Sequence, residues 1–168
     1  MKTFTSTILI GLVIFASSCQ KQNAALTESQ KNEIINSAKV TVQKVFDSSK
    51  NLEFVNGLDY YSNDSNAYYI SDGKILSLDE LRASYNQIGP SVEVLHNTIS
   101  NWNIKIISKD AVSFTLPIQL KIKLKGIPEY NGQLIWSAIV QKENQKWKVV
   151  QSHESWLNCA EVGAALTP

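Results

Sequence analysis

The sequence has few of the residues that build metal centres, disulfide frameworks and strongly charged surfaces. It contains two cysteines and two histidines among 168 residues, and its 16 basic and 15 acidic residues give a net charge of +1. So few ligands offer no short-spaced cluster of the kind that zinc sites show. Without a basic stripe, the chain lacks the electrostatic footprint of a nucleic-acid-binding protein. We therefore expect no metal, no cofactor and no nucleic-acid partner.

The motifs of several enzyme classes are also missing. The sequence has neither a Gly-x-Ser-x-Gly nucleophile elbow nor a glycine-rich phosphate loop. The Asn-Asp-Ser-Asn turn at 63–66 lacks the remaining ligands and the closing glutamate of a calcium loop. His153 and Glu154 are neighbours, but on a strand they would face opposite sides and form no catalytic dyad. No motif therefore identifies a reaction.

The start of the chain is its most specific signal. An apolar run of eight residues, from Ile8 to Phe15, follows the basic Lys2 and precedes small residues and Cys19. The run is far shorter than the roughly 20 residues of a membrane-spanning helix, and the pattern is typical of a secretion signal. It resembles a bacterial lipoprotein signal.

The lipoprotein resemblance implies that residues 1–18 are removed, that Cys19 carries a lipid and that residues 19–27 form a tether. It also implies a location in the cell envelope, anchored in a membrane on the periplasmic or cell-surface side. The alternative is an ordinary cleaved signal that leaves Cys19 as a free thiol.

Two capping boxes mark helix starts. Thr27 with Gln30, and Ser77 with Glu80, each place a hydroxyl residue three positions before a Gln or Glu. Apolar residues at spacings of three and four follow both boxes. This pattern predicts a long amphipathic helix after the first box and a shorter one after the second, with another short helical stretch between them at 52–61.

Strand patterns dominate the second half of the chain. After a short predicted strand at 67–70, the long predicted strands span 92–107, 111–125, 133–142 and 146–156. The second of these alternates strictly from Val112 to Leu124, which predicts one buried and one solvated face. Lys121, Lys123 and Lys125 fall on the solvated face, where they form either a docking strip for an anionic surface or an ordinary solvated face.

Three helices followed by long antiparallel strands predict an α+β domain, with the helices packed on one face of a strongly curved sheet. The last strand reads Trp147-Lys-Val149-Val-Gln151-Ser-His153-Glu-Ser155. It resembles the closing Trp-x-aliphatic-x-His-x-His-x-Ser strand of the SnoaL-like branch of the nuclear transport factor 2-like (NTF2-like) superfamily, with glutamine in place of the first histidine. The order of the elements carries the same resemblance. It implies an NTF2-like cone over residues 28–158, followed by a tail at 159–168.

The polar residues of the last strand are the first candidates for a site. Period two puts Gln151, His153 and Ser155 on one face together with apolar residues earlier in the strand. We expect this face to look into the cone, so that His153 lies in its pocket. His96 falls on a mainly apolar face of the first long strand. Each histidine is either a general acid or base in a pocket or a core side chain satisfied by hydrogen bonds.

Other residues could complete a pocket around such a histidine. Asp59 and Asp64 are the candidate carboxylates that would orient it. Tyr61 and Tyr85 could close the mouth of the pocket with their hydroxyls. Trp102 falls on a predicted inward face, where it either lines a ligand pocket or fills the core.

Three functions remain open from the sequence. The leading one is binding of a small, mainly apolar molecule in the cone pocket. The second is an enzyme of the isomerase, cyclase or dehydratase type, as the family resemblance implies, with His153 as general base. The third is an interaction module that forms a homodimer through the outer sheet face, where Ile99, Ile135 and Ile139 suggest an apolar patch.

These functions differ in what the cone should contain. An enzyme of this kind needs His153 within about 3 Å of a carboxylate in a water-accessible cavity. A binding protein needs a cavity without that pair. In a pure interaction module, Trp102, Trp136 and Trp147 would fill the cone.

Overall fold

The structure, a computed structural model, describes residues 25–71 and 73–166. In this part the chain forms α1 (Glu28–Lys50), α2 (Phe54–Gly57), β1 (Tyr68–Ser71), β2 (Lys74–Leu76), α3 (Leu78–Ile88), β3 (Val92–Ile99), β4 (Asn103–Ser108), β5 (Ala111–Leu124), β6 (Tyr130–Glu143), β7 (Lys146–Trp156) and α4 (Cys159–Leu166). The predicted signal and Cys19 lie outside the described residues. None of the described helices is both long and apolar enough to cross a membrane.

Both predicted capping boxes are present. The Gln30 backbone N–H donates to the Thr27 hydroxyl, and the Thr27 backbone N–H donates to the Gln30 side chain at 2.9 Å. Ser77 and Glu80 repeat the arrangement at the start of α3. Each box satisfies two backbone donors that a helix start leaves without partners. The two principal helices therefore begin where the sequence predicts.

The strands form one curved sheet in the order β2-β1-β7-β6-β5-β3, with β4 also paired to β5. The pairings are antiparallel except for that of β1 with β7. The helices α1, α2 and α3 precede the long strands and cover the inner face of the sheet. The fold class is therefore the predicted α+β arrangement, with helices on one side of a curved, mainly antiparallel sheet.

The strand predicted at 92–107 is two strands, β3 and β4, that lie along the same edge of β5. Ile99 pairs with Ile118, and pairing resumes at Asn103 with Thr115. Pro117 lies between these pairs and has no N–H to offer a neighbouring strand. Its carbonyl accepts from the Ser100 N–H at 3.0 Å, after which the chain leaves the sheet until residue 103.

The sequence pattern missed two elements. Strand β2 turns back on β1 through Gly73, whose φ of 75° is a conformation that suits glycine. The tail, which shows no strong pattern in the sequence, forms α4 and buries Val162. Both elements are short, and their periodicity covers too few residues to predict them.

The core lies between the helices and β5. Every inward residue of β5 is buried, as its alternation predicts: Val112, Phe114, Leu116, Ile118, Leu120, Ile122 and Leu124. On the opposite face Lys121 pairs with Glu129 at 3.0 Å and Lys123 with Glu93 at 2.7 Å. These partners neutralise much of the lysine strip, which favours an ordinary solvated face over an anion-docking surface.

A β-bulge divides β7. Val149 pairs with Val140 and Gln151 with Ile139, so Val150 is an extra residue with no counterpart in β6. The Ser62 N–H donates to the Val149 carbonyl at 2.8 Å, and the Tyr69 hydroxyl lies 3.2 Å from the same carbonyl. One extra residue reverses the alternation of all later side chains.

A second bulge divides β3. Val92 pairs with Leu124 and Val94 with Lys123, so Glu93 is the extra residue. After it, Leu95 lies opposite the buried Ile122 and faces inward. The residues of β3 that follow the bulge are therefore shifted by one position relative to strict alternation from Val92.

The buried Tyr69 hydroxyl gives a test of the contacts around the β7 bulge. It donates to the Ser62 carbonyl at 2.6 Å. Burial raises the pKa of this hydroxyl, and the charge of Glu143 raises it further. Because the folded-state pKa exceeds the unfolded value of about 10, this contribution to stability is complete below pH 10 and is lost as the pH rises through the folded pKa.

We predict that Tyr69→Phe lowers the free energy of unfolding by about 1 kcal/mol at pH 8 and weakens its decline between pH 9 and pH 11. Urea unfolding at each pH measures both effects. Tyr68→Phe, which removes an exposed hydroxyl next to it, is the control and should match the wild type. An unchanged stability and pH slope in Tyr69→Phe would contradict the assigned contacts.

Candidate functional site

A cavity of about 240 Å³ lies between the helices and the inner face of the sheet. The apolar side chains that the sheet contributes include Leu95, Ile118, Leu120, Ile122, Leu134 and Trp136. Those from the helices include Val45, Phe46, Phe54, Tyr85, Ile88 and Val162. The long helix α1, the short helices and the C-terminal α4 therefore all contribute to one predominantly apolar chamber.

Aromatic rings hold the walls of this chamber in place. Phe46 of α1 meets Trp136 of β6 edge to face, with ring centroids 5.3 Å apart. Phe54 meets Tyr85 in the same way at 6.2 Å. Edge-to-face pairs of this kind add stability beyond the area they bury. The cavity is thus bounded by side chains whose positions are set by packing on both of its sides.

Polar groups are few and widely distributed. Serines and an asparagine contribute from several elements, and the remaining polar lining groups are the hydroxyls of Tyr61 and Tyr85, the indole N–H groups of Trp136 and Trp156, and the carboxylate of Glu154. Glu154 pairs directly with Trp136 across the β6–β7 ladder, which brings their Cβ atoms to about 5 Å. It is the only lining residue with a formal charge among those that the structure describes.

Tyr61 stands beside this carboxylate. Its ring is buried and packs edge to face on Tyr69 at 4.9 Å. Burial raises the pKa of the Tyr61 hydroxyl, and the charge of Glu154 raises it further, while hydrogen bonds with Ser152 and Trp136 partly offset this. Tyr61 therefore stays protonated at physiological pH and keeps a polar, uncharged group at this end of the cavity.

The predicted orientation of Gln151, His153 and Ser155 is wrong. His153 and Ser155 are exposed, and Gln151 is half-buried on the same side. The reason is the bulge at Val150: before it Val149 faces inward, as predicted, and after it the inward residues are 152, 154 and 156. His153 therefore lies on the outer face, opposite Ser137.

The predicted orientation of side chains in the first long strand is wrong for the same reason. The bulge at Glu93 turns His96 outward, where it is exposed opposite Lys121. It turns Asn97 into the cavity and places Ile99 against the core. The predicted outer apolar patch therefore loses Ile99.

The candidate acids of the helical side do not reach the cavity. Asp59 is exposed and lies 3.6 Å from Arg82, and its backbone carbonyl accepts from the Lys148 ammonium. Asp64 is exposed and caps a turn by accepting from the Asn66 N–H at 2.8 Å. Neither carboxylate is among the groups that line the chamber.

The structure places some of the candidate aromatic residues at the cavity and others away from it. Tyr61 and Tyr85 both line the cavity, and their closing its mouth stays a prediction. Trp102 is half-buried against Phe114, with the Lys39 ammonium 4.2 Å from its ring centre, and it packs away from the cavity lining. Trp156, which follows the bulge in β7, faces the chamber.

The sequence reasoning missed Glu154 as a site residue. Under strict alternation it belongs to the solvated face, and nothing in its neighbourhood marks a bulge. The groups that accompany the bulge are far away in the sequence. Ser62 and Tyr69, which contact the Val149 carbonyl, lie about 80 residues earlier. Chemically, the chamber offers a large apolar surface with one carboxylate and one tyrosine hydroxyl at the same end.

Comparisons with known proteins agree on the architecture. No family profile and no curated protein sequence matches this chain. Among solved structures, hexachlorocyclohexane dehydrochlorinase LinA-type3 from Novosphingobium barchaimii superposes with a TM-score of 0.67 at 9% identity, over 78% of this chain and 91% of that chain. An NTF2-like protein from Cytophaga hutchinsonii gives a TM-score of 0.59 at 17% identity, over 76% and 98%.

The association domain of CaMKII from C. elegans is similar to the same degree, with a TM-score of 0.59 at 19% identity over 77% of this chain and 99% of that chain. Proteins with such different names share the scaffold, and identities this low carry information about the fold alone. The described part of the chain therefore has the NTF2-like fold that its last strand and its order of elements predict.

Proposed function

We propose that this protein binds a small, mainly apolar molecule in the cavity between its helices and sheet, and that a lipid on Cys19 holds it to a membrane of the cell envelope. The observation that carries the binding function is the chamber of about 240 Å³ with predominantly apolar walls. For comparison, an apolar cavity of about 150 Å³ in another protein binds benzene. The chamber has room for a larger ring system.

The contacts favour binding over the two alternatives. An enzyme that uses His153 needs the imidazole inside the chamber, and the bulge turns it to the outer face. In a pure interaction module the cone would be filled by three tryptophans, yet only Trp136 of the three lines the cavity. A homodimer through the outer face remains a prediction, now carried by Ile135, which is 46% exposed, and Ile139.

Affinity for a simple hydrocarbon can be bounded. A ligand with about ten non-hydrogen atoms, at roughly 0.5 kcal/mol per atom, gains about 5 kcal/mol. This corresponds to a Kd of a few tenths of a millimolar. Naphthalene is a suitable probe because it has no polar group and therefore reports on the apolar chamber alone.

We predict that naphthalene shifts the indole N–H signals of Trp136 and Trp156 in two-dimensional nitrogen–proton NMR spectra. Both rings line the cavity, whereas the other two tryptophans, Trp102 and Trp147, do not. The signals of the latter pair should stay in place throughout the titration. The four indole signals thus locate the ligand as well as detect it.

A variant that fills the chamber provides the control. Ser49 of α1 lines the cavity, so Ser49→Phe should weaken naphthalene binding at least tenfold. Ser37→Phe makes the same change on the exposed side of the same helix and should bind as the wild type does. Equal shifts of all four indoles, or equal binding by both variants, would contradict the proposed site.

The anchor is supported by the residues before Cys19 and not by the described part of the chain. We predict that an alkyne-tagged fatty acid labels the wild type expressed in a bacterium, and labels Cys159→Ala equally, but leaves Cys19→Ala unlabelled. Intact mass of the mature chain gives the second readout, because lipid and cleavage before Cys19 each change it. A mature chain without lipid mass would favour the ordinary secretion signal.

A further inference from the structure

We propose that Glu154 selects the ligand: the cavity prefers an apolar molecule that carries a hydrogen-bond-donating head group, an ammonium or a hydroxyl, over one that carries an anionic group. This inference rests on the proposed binding function and specifies its ligand class. It follows from where the β7 bulge places the one charged side chain of the described cavity lining.

The position of Glu154 fixes where such a head group would lie. Its neighbours on the inner face of β7 are Ser152 and Trp156, and Trp136 lies across the ladder. Tyr61 stands close enough for the two groups to interact electrostatically. The polar end of the cavity is therefore a compact group on β7, β6 and the segment that follows α2.

The rest of the chamber defines the body of the ligand. Leu95 of β3 and Leu120 of β5 lie on the sheet side, and Phe54 and Ile88 lie on the helix side. These groups offer only apolar surface. A ligand that fills the cavity consequently has a largely hydrocarbon body that extends from the polar end at Glu154, with Ser49, Ser84 and Asn97 as separate polar contacts on the other walls.

The charge of Glu154 then favours some ligand head groups over others. Half-burial beside aromatic rings removes part of the water that would screen the carboxylate. A donor on the ligand would add a charge-assisted hydrogen bond to this carboxylate, which is stronger than a neutral one. An anionic head group would instead face repulsion at short range, so the two ligand types should differ by at least tenfold in affinity.

Four probes with one ring system test this: naphthalene, 2-naphthylmethylamine, 2-naphthylmethanol and 2-naphthoate. We predict that the wild type binds the amine or the alcohol at least tenfold more tightly than the carboxylate, measured by calorimetry at pH 7. Glu154→Gln should remove most of this preference, measured as the ratio of the affinities for the donor-bearing probes and the carboxylate. Which donor is preferred tells whether the ligand is cationic or neutral, and either preference supports the inference.

Two further variants make the result specific. Glu129→Gln removes the same charge at a site outside the cavity, where the Lys121 partner lies, and should keep the wild-type preference. Glu154→Asp retains the charge and should keep part of the preference for donor head groups. It also gives a second measurement if Glu154→Gln does not fold.

The possible outcomes test the role of Glu154 separately from the proposed binding function. Naphthalene binding without preference among head groups, in the wild type and in Glu154→Gln alike, would overturn the role of Glu154 and leave the binding function standing. A wild type that binds none of the four probes would overturn the binding function itself.

Discussion

The carbonyl of Val149 determines which side of the last strand faces the cavity. The Ser62 N–H donates to it at 2.8 Å, and the Tyr69 hydroxyl lies 3.2 Å away. These contacts give the Val149 carbonyl partners outside the β6–β7 ladder, next to the extra residue Val150. Without the bulge, the imidazole of His153 would look inward and Glu154 would be in water. The chemical character of the cavity therefore depends on a backbone contact between segments far apart in the chain.

The two bulges have complementary effects on the chamber. The bulge in β7 exchanges a histidine for a carboxylate, and the bulge in β3 turns His96 outward and Asn97 inward. Both histidines of the chain thus lie on the outer face. Among the lining residues that the structure describes, the side chains that face the chamber are mainly apolar and include one carboxylate, a combination that suits an amphipathic molecule. Because one scaffold can host many functions, such local changes, rather than the fold, decide what a cavity can bind.

Most of the fold could be predicted because it is expressed in long periodic patterns and local caps. The alternation from Val112 to Leu124 and the capping box at Thr27 each depend on neighbouring residues, and the structure confirms both. The site could be predicted only in part. The positions of Tyr61 and Tyr85 on the helical side indicate that they lie near the cavity, but a bulge moves every later side chain of a strand to the other face and leaves no mark in composition. The groups that hold the β7 bulge come from residues 62 and 69, which strand periodicity does not reach.

The orientation of β7 is the central claim, and proton–proton distances in solution test it most directly. In a nuclear Overhauser spectrum of the protein, the side-chain methylene protons of Glu154 should show contacts to the rings of Tyr61 or Trp136. The ring protons of His153, identified by comparison with His153→Gln, should show contacts to Ser137 on the outer face and none to those two rings. Contacts between the His153 ring and Tyr61 or Trp136 would contradict the bulge, and with it the carboxylate-bearing cavity.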